Sequence, residues 1–157
     1  MTIEFSYNKN QVLQALRYHF LSRREIRFMI ILVNIFALAS AVLFYLKKIL
    51  PFAFLVGSLL WFVLMISFWF ILPGTVYRRS ATFQDHFTMS FEEDSFTLGN
   101  ERGSRSWGWN ALKNFIETPH FFHLYFDARS FLLVPKNAFA DTEQVYEMRQ
   151  LLKKKLK

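Results

Sequence analysis

The sequence predicts a membrane-bound α+β protein, in which a two-helix transmembrane hairpin precedes a small antiparallel β-sheet or barrel closed by a C-terminal helix. Two uncharged apolar runs, 28–46 and 49–72, are each long enough to cross the roughly 30 Å of hydrocarbon in a bilayer. Beyond them the apolar residues alternate with period two, which is typical of strands. These patterns divide the chain into 1–27, an N-terminal strand and helix, 28–74, the hairpin, and 75–157, a small cytoplasmic domain.

Composition excludes several classes of protein. The 157 residues are 53% apolar and 19% aromatic and carry a formal net charge of +7. A chain this rich in aromatic residues is not intrinsically disordered, and without cysteine it has no disulfides or thiolate metal sites. Neither a phosphate-binding glycine loop, a dinucleotide fingerprint nor a nucleophile elbow occurs in the sequence. We therefore expect no enzymatic activity and no cofactor.

The first 27 residues predict a strand followed by a helix. Apolar and polar residues alternate over 3–7, and Asn8 is a predicted helix cap with Gln11 at the capping-box position. Because neither Gly nor Pro interrupts residues 9–46, we expect the helix to continue into the first span. The alternative is an amphipathic helix that lies on the membrane surface, and the sequence leaves it open.

The basic residues around the hairpin predict its orientation. Only Lys47 and Lys48 separate the two runs, so the helices are antiparallel neighbours. Six arginines flank the outer ends of the hairpin, and Lys and Arg are enriched in cytoplasmic flanks. Both termini are therefore predicted to be cytoplasmic. The six are Arg17, Arg23, Arg24, Arg27, Arg78 and Arg79.

A cleaved signal sequence is the alternative to the first span. Ser22-Arg23-Arg24 resembles a twin-arginine signal, and Ala39-Ser40-Ala41 resembles a cleavage site. The apolar run continues to Leu46, however, which is longer than the core of a signal peptide. The sequence therefore favours a retained span.

Small residues recur four apart in both spans. Ala37 and Ala41 form one pair, and Ala53 and Gly57 form the other, at similar distances from the two lysines. Small residues at this spacing let helices approach closely, so we expect them to pack inside the hairpin. A seam between two copies, and hence a homo-oligomer, is the alternative. Neither span contains an ionisable residue, which argues against a transporter that acts alone.

The C-terminal part predicts a series of antiparallel strands and then one helix. Turn residues separate its alternating runs, and Asp141 caps the last helix with Gln144 at the capping-box position. This order of elements is how a half-open barrel like that of a pleckstrin-homology (PH) domain is built. The predicted strand residues are Phe87, Met89 and Phe91; Phe96 and Leu98; Trp107 and Trp109; Phe115 and Ile116; Phe122, Leu124 and Phe126; and 131–134.

The N-terminal strand has no local partner. A lone strand is not stable in water, and an open sheet edge invites wrong pairing. Since both ends of the hairpin emerge on one side, we expect residues 2–7 to add to the sheet of residues 85–134.

Few residues are candidates for a site. Trp107 and Trp109 are candidates for lining a ligand groove, with core packing the favoured interpretation, and Lys136 is a candidate contact for a lipid phosphate. His120 and His123 have metal-like spacing only on a helix, because on a strand they point to opposite faces, so no metal site is expected. Nucleic acid is an unsuitable partner, since residues 75–157 carry 12 basic and 10 acidic groups.

One stretch of the C-terminal part contains four short motifs in succession. They are Trp109-x-x-Leu112, Phe115-Ile116-Glu117-Thr118, Phe121-Phe122-x-Leu124-Tyr125 and Leu133-Val134-Pro135-Lys136-x-x-Phe139. In this order they resemble a known family, the YcxB-like membrane proteins of bacteria. The resemblance implies an N-terminal strand and helix, two spans of the bacterial inner membrane and a small C-terminal domain. It brings no catalytic residue with it.

Two functions are consistent with this sequence. The first is a non-enzymatic, membrane-anchored module whose soluble domain binds anionic lipid or a protein. The second is an accessory subunit of a larger membrane complex, such as an exporter or an envelope enzyme, whose hairpin packs against a membrane-protein partner.

Overall fold

The computed structural model describes residues 1–156, and it is an α+β protein with antiparallel sheets, as predicted. The helices are α1 (Lys9–Ser22), α2 (Arg24–Tyr45), α3 (Pro51–Ile66), α4 (Leu72–Arg79) and α5 (Thr142–Lys155). The strands are β1 (Thr2–Ser6), β2 (His86–Phe91), β3 (Ser95–Asn100), β4 (Gly103–Gly108), β5 (Asn114–Glu117), β6 (Phe121–Tyr125) and β7 (Phe131–Pro135). A π-helical turn, Ser67–Ile71, joins α3 to α4, and short 3₁₀ turns cover Ala81–Gln84, Trp109–Ala111 and Lys136–Ala138.

The chain forms two compact units. The strand unit combines Met1–Ala15 with the chain from Ser80 onward, and the helical unit is Leu16–Arg79. Helix α1 begins in the strand unit and ends in the helical unit. The first residues of the chain therefore fold with its second half, although the hairpin separates them in sequence.

The N-terminal strand completes the first sheet, which confirms that prediction. The strand order is β1-β2-β3-β4, all antiparallel. Ile3 lies opposite Met89 and Phe5 lies opposite Phe87, so the buried side chains of β1 continue the buried face of β2. The backbone of Met1 extends this pairing, because its carbonyl accepts a 2.7 Å hydrogen bond from the Phe91 amide.

The second sheet has the order β5-β6-β7, also antiparallel. Over residues 1–156 the strands form these two sheets and do not close into a barrel. In the predicted strand Phe122, Leu124 and Phe126 alternate with His123 and Tyr125, and in the structure all five residues of β6 are buried. As the middle strand of its sheet, β6 is covered on both faces, and Phe126 lies beyond its end.

Helix α5 begins as predicted and closes the core of the strand unit. The Asp141 carboxylate accepts a 2.8 Å hydrogen bond from the Gln144 amide, and the Gln144 side chain accepts one from the amide of Ala140. Met148 and Leu152 are fully buried and join a core to which both sheets contribute. At the other end of the chain, the Asn8 side chain caps α1 through the amides of residues 10 and 11.

Helices α1 and α2 are not continuous, so the predicted unbroken helix over 9–46 is wrong at Arg23. That residue is extended, with φ −74° and ψ 127°. The Ser22 hydroxyl donates to the carbonyl of His19, and the Arg23 amide bonds Phe20 three residues back. Such a local side-chain bond competes with the backbone hydrogen bonds of the helix and ends it. The spacing of apolar residues in the sequence does not predict this effect.

A tight turn joins α2 to α3. Lys47 has φ 56°, the left-handed conformation that often follows a helix. Its amide bonds the carbonyl of Phe44, and the Lys48 amide bonds that of Leu43. This pair of bonds satisfies the last carbonyls of α2. Pro51 then starts α3, where its missing N–H costs no helical hydrogen bond.

Helices α2 and α3 pack along a seam of complementary side chains. The rings of Phe44 and Phe54 stack with centroids 4.5 Å apart. Further along, a Cβ placed on Gly57 would lie 3.7 Å from the Ser40 hydroxyl. Deeper still, the Trp61 indole donates to the side-chain oxygen of Asn34 over 3.4 Å. Asn34 and Trp61 thus use their polar atoms within the hairpin.

Candidate functional site

A groove of about 630 Å³ lies beside α5 in the strand unit. Its volume lies within the range of pockets that bind small molecules. Phe139, which follows the 3₁₀ turn, and Val145 of α5 form part of its wall, and polar side chains with charges of both signs line much of the rest. The lining residues are Gln11, Pro119, His120, Lys136, Asn137, Phe139, Asp141, Thr142, Val145, Tyr146 and Arg149.

An ion cluster of Glu117, Lys136 and Arg149 stands at one side of this groove. Arg149 donates to both carboxylate oxygens of Glu117, with Nε–Oε2 2.7 Å and Nη2–Oε1 2.8 Å. Lys136 Nζ donates to Oε1 over 2.7 Å. All three side chains are between 20% and 30% exposed. Two cations share one anion, so the cluster presents one net positive charge.

The charge state of this cluster follows from its hydrogen bonds. The bond from Arg149 is the largest of the causes that lower the pKa of Glu117 to about 2, followed among the lowering causes by that from Lys136. The same bond raises the pKa of Arg149. A glutamate held this way stays ionised at neutral pH and is a poor general base. The cluster is therefore suited to binding and less suited to proton transfer.

The structure places Lys136 in a fixed position. Besides Glu117, its ammonium lies 5.3 Å from the centre of the Phe122 ring, and its backbone amide bonds the carbonyl of His120. The residue opens the 3₁₀ turn that follows β7. The candidate phosphate contact, Lys136, is therefore a cation that its neighbours hold in place at the groove.

Trp107 and Trp109 do not share a face of one strand, because β4 ends at Gly108 and Trp109 begins a 3₁₀ turn. Trp109 is 4% exposed, within the core. Trp107 is half-buried, and its ring is covered on one side by Phe96, 5.5 Å away. The guanidinium of Arg105 lies 5.3 Å from the Trp107 ring. Of the two indoles, only Trp107 is open to a ligand.

The small residues of the hairpin border a second, apolar groove of about 700 Å³ between α2 and α3. Ala37, Ala41 and Gly57 line it, and Ala53 is exposed outside it. Three of the four candidate packing residues therefore lie together.

The two histidines predicted to lie on opposite faces are also separated in their environments. His120 lies in the turn before β6 and lines the α5 groove, whereas His123 is 1% exposed inside β6. Across residues 1–156, the structure contains no group of three or more His, Cys, Asp or Glu side chains that could hold a metal ion.

Sequence reasoning missed the Glu117 and Arg149 members of the ion cluster. They are 32 residues apart, and only the packing of α5 beside β5 brings them together. The one available signal was the acidic Glu117 directly after the apolar Phe115 and Ile116, because an acid next to a core needs a partner when it is buried.

The elements described so far define an α+β protein with two helices that are long and apolar enough to cross a membrane. A family model of the YcxB-like proteins matches residues 91–152. The match runs from the end of β2 to α5 and so contains β3 to β7 and most of the groove. It confirms the resemblance that the motifs of this region indicate. Neither the curated proteins nor the solved structures yield a match to this chain.

Proposed function

We propose that this protein is a membrane-anchored binding module at the inner face of a bacterial cell membrane. The hairpin of α2 and α3 crosses the bilayer, both termini are cytoplasmic, and the strand unit binds a partner or an anionic lipid without catalysing a reaction. One observation is the main support for membrane anchoring: no residue in the most apolar 18-residue stretch of Arg24–Tyr45 or of Pro51–Arg79 is buried by the fold. Lipid would cover these surfaces.

The strand unit supplies the binding part of the proposal. Its order of antiparallel strands followed by α5 supports a PH-like fold, opened into two sheets. The groove beside α5 has a built-in cationic cluster, with Lys136 and Arg149 held by Glu117. Anchored cations next to apolar walls suit a ligand with an anionic end and an apolar body.

Native mass spectrometry of the intact protein, purified in mild detergent, tests the binding role. We expect a bound lipid or protein whose occupancy falls at least tenfold in Lys136→Gln and Arg149→Gln. The matched control is Lys154→Gln, an exposed lysine on the same helix as Arg149, which should leave occupancy unchanged. A protein that carries nothing, or a bound species indifferent to both groove variants, would contradict binding at this groove.

The second candidate function is an accessory subunit of a larger membrane complex. The apolar groove of about 700 Å³ on the hairpin favours it, because small residues there let another helix approach. The same mass spectrometry separates the two candidates. A membrane protein lost in Ala37→Leu and retained in Lys136→Gln would support the subunit, and a second copy of this chain lost in the same way would show a homo-oligomer.

A further inference from the structure

The second apolar helix is interrupted where its π-helical turn, Ser67–Ile71, meets α4. Pro73 lies in the first turn of α4 and has no backbone N–H. The carbonyl of Trp69, four residues earlier, therefore lacks its α-helical donor. π-helical turns are rare and occur frequently at functional positions, so the partner of this carbonyl is informative.

The side chain of Arg17, from α1, donates a hydrogen bond to this carbonyl. Its Nε donates to the Trp69 carbonyl oxygen over 3.0 Å. The same guanidinium lies 5.5 Å from the centre of the Trp69 ring and 5.4 Å from that of Phe70. A hydrogen bond from an ionised donor is stronger than a neutral one, and the two rings add cation–π attraction. All of these residues belong to the compact helical unit.

If the hairpin crosses the bilayer, as in the proposed function, the position of the Arg17–Trp69 contact along the membrane normal can be calculated. From Pro51 to Trp69 the chain contains about 19 helical residues, which at 1.5 Å each span roughly 28 Å. That length matches the hydrocarbon core. The Arg17 contact then lies at the cytoplasmic boundary, where tryptophan and arginine side chains are favoured and where an unpaired carbonyl is costly.

We propose that Arg17 is a clasp: it supplies the hydrogen-bond donor that Pro73 withholds from Trp69, and so it holds the end of α1 against the second apolar helix in its π-turn form. Without the clasp, the π turn and Pro73 form a hinge. Arg17 is thus a positioning residue of the helical unit, and its role depends on the proline and not on its charge alone.

Hydrogen exchange of the full-length protein in mild detergent tests this dependence with two substitutions. Arg17→Gln removes the charged donor, and Pro73→Ala restores a backbone donor for Trp69. We expect Arg17→Gln alone to speed amide exchange over residues 70–77 at least tenfold. In the Pro73→Ala background the same substitution should change exchange less than threefold. Arg24→Gln, another arginine of the same unit, is the matched control and should leave these amides unchanged.

The comparison remains decisive if Arg17→Gln does not fold. Recovery of the folded protein in the double variant would support the clasp, and failure of the double variant as well would overturn it. Equal effects of Arg17→Gln with and without Pro73 would also overturn it, as would no effect in either background. Because the readout is exchange in the helical unit, it is independent of whether the α5 groove binds a ligand.

Discussion

Trp109→Ala is expected to lower the free energy of unfolding of the strand unit by about 3–5 kcal/mol. The indole is 4% exposed. Its ring packs on Phe96 with centroids 5.2 Å apart and stacks on Phe91 at 6.3 Å, and its N–H donates to the carbonyl of Glu92 over 3.2 Å. Truncation leaves a cavity among rigid rings and an unpaired carbonyl, and both changes destabilise the folded state.

Amide exchange in β2 and β3 of the full-length protein in detergent measures this loss, because core amides exchange through global opening. A loss of about 3–5 kcal/mol corresponds to an acceleration of roughly 10²–10⁴-fold. Trp107→Ala is the matched control: that ring is half-buried, so we expect less than half the free-energy loss. Native-like exchange in Trp109→Ala, together with loss of a bound species, would make Trp109 a ligand contact and contradict its core role.

Phe5→Ala is expected to destabilise the strand unit by about 3 kcal/mol. Phe5 is 7% exposed. It stacks on Phe87, opposite it in β2, at 5.9 Å, and meets the edge of the Tyr7 ring at 5.3 Å. The Tyr7 hydroxyl in turn donates to the carbonyl of Leu133 in β7. The loss of Phe5 should therefore loosen β1 and its neighbours in both sheets.

Glu4→Ala is the control for Phe5, because Glu4 lies on the exposed face of the same strand. A substitution there should change stability by less than about 0.5 kcal/mol. The measurement is urea unfolding of the intact protein in detergent, followed by circular dichroism of the strands. An effect of Phe5→Ala as small as that expected for Glu4→Ala would show that β1 is dispensable for the strand unit and would contradict its place in the core.

Local patterns were enough to predict much of the fold. Alternation over residues 3–7 predicts β1, and the absence of a nearby partner predicts its pairing with a distant sheet edge. The Asp141 cap fixes the start of α5, since its signal lies within four residues. The two long apolar runs predict α2 and α3, because charge-free stretches of that length have few alternatives.

Features that depend on distant contacts were not predictable. The helix ends before Arg23 because the Ser22 hydroxyl bonds the His19 carbonyl. The spacing of apolar residues carries no information about this bond. Glu117 is paired with cations from the 3₁₀ turn after β7 and from α5, which are 19 and 32 residues away in sequence. Similarly, the clasp joins Arg17 to a carbonyl 52 residues away. In each case the chemistry is visible in the sequence, and the partner is set by tertiary packing.

In the proposed topology, a two-helix hairpin anchors the strand unit at the inner face of the membrane. The chain lacks cysteine, so single cysteines at Lys48→Cys in the hairpin turn and Glu143→Cys in α5 report their own side of the membrane. With a membrane-impermeant maleimide added to intact bacterial spheroplasts, this topology predicts labelling of the Lys48→Cys protein at once and of the Glu143→Cys protein only after lysis. Labelling of the Glu143→Cys protein before lysis, or protection of the Lys48→Cys protein, would contradict it.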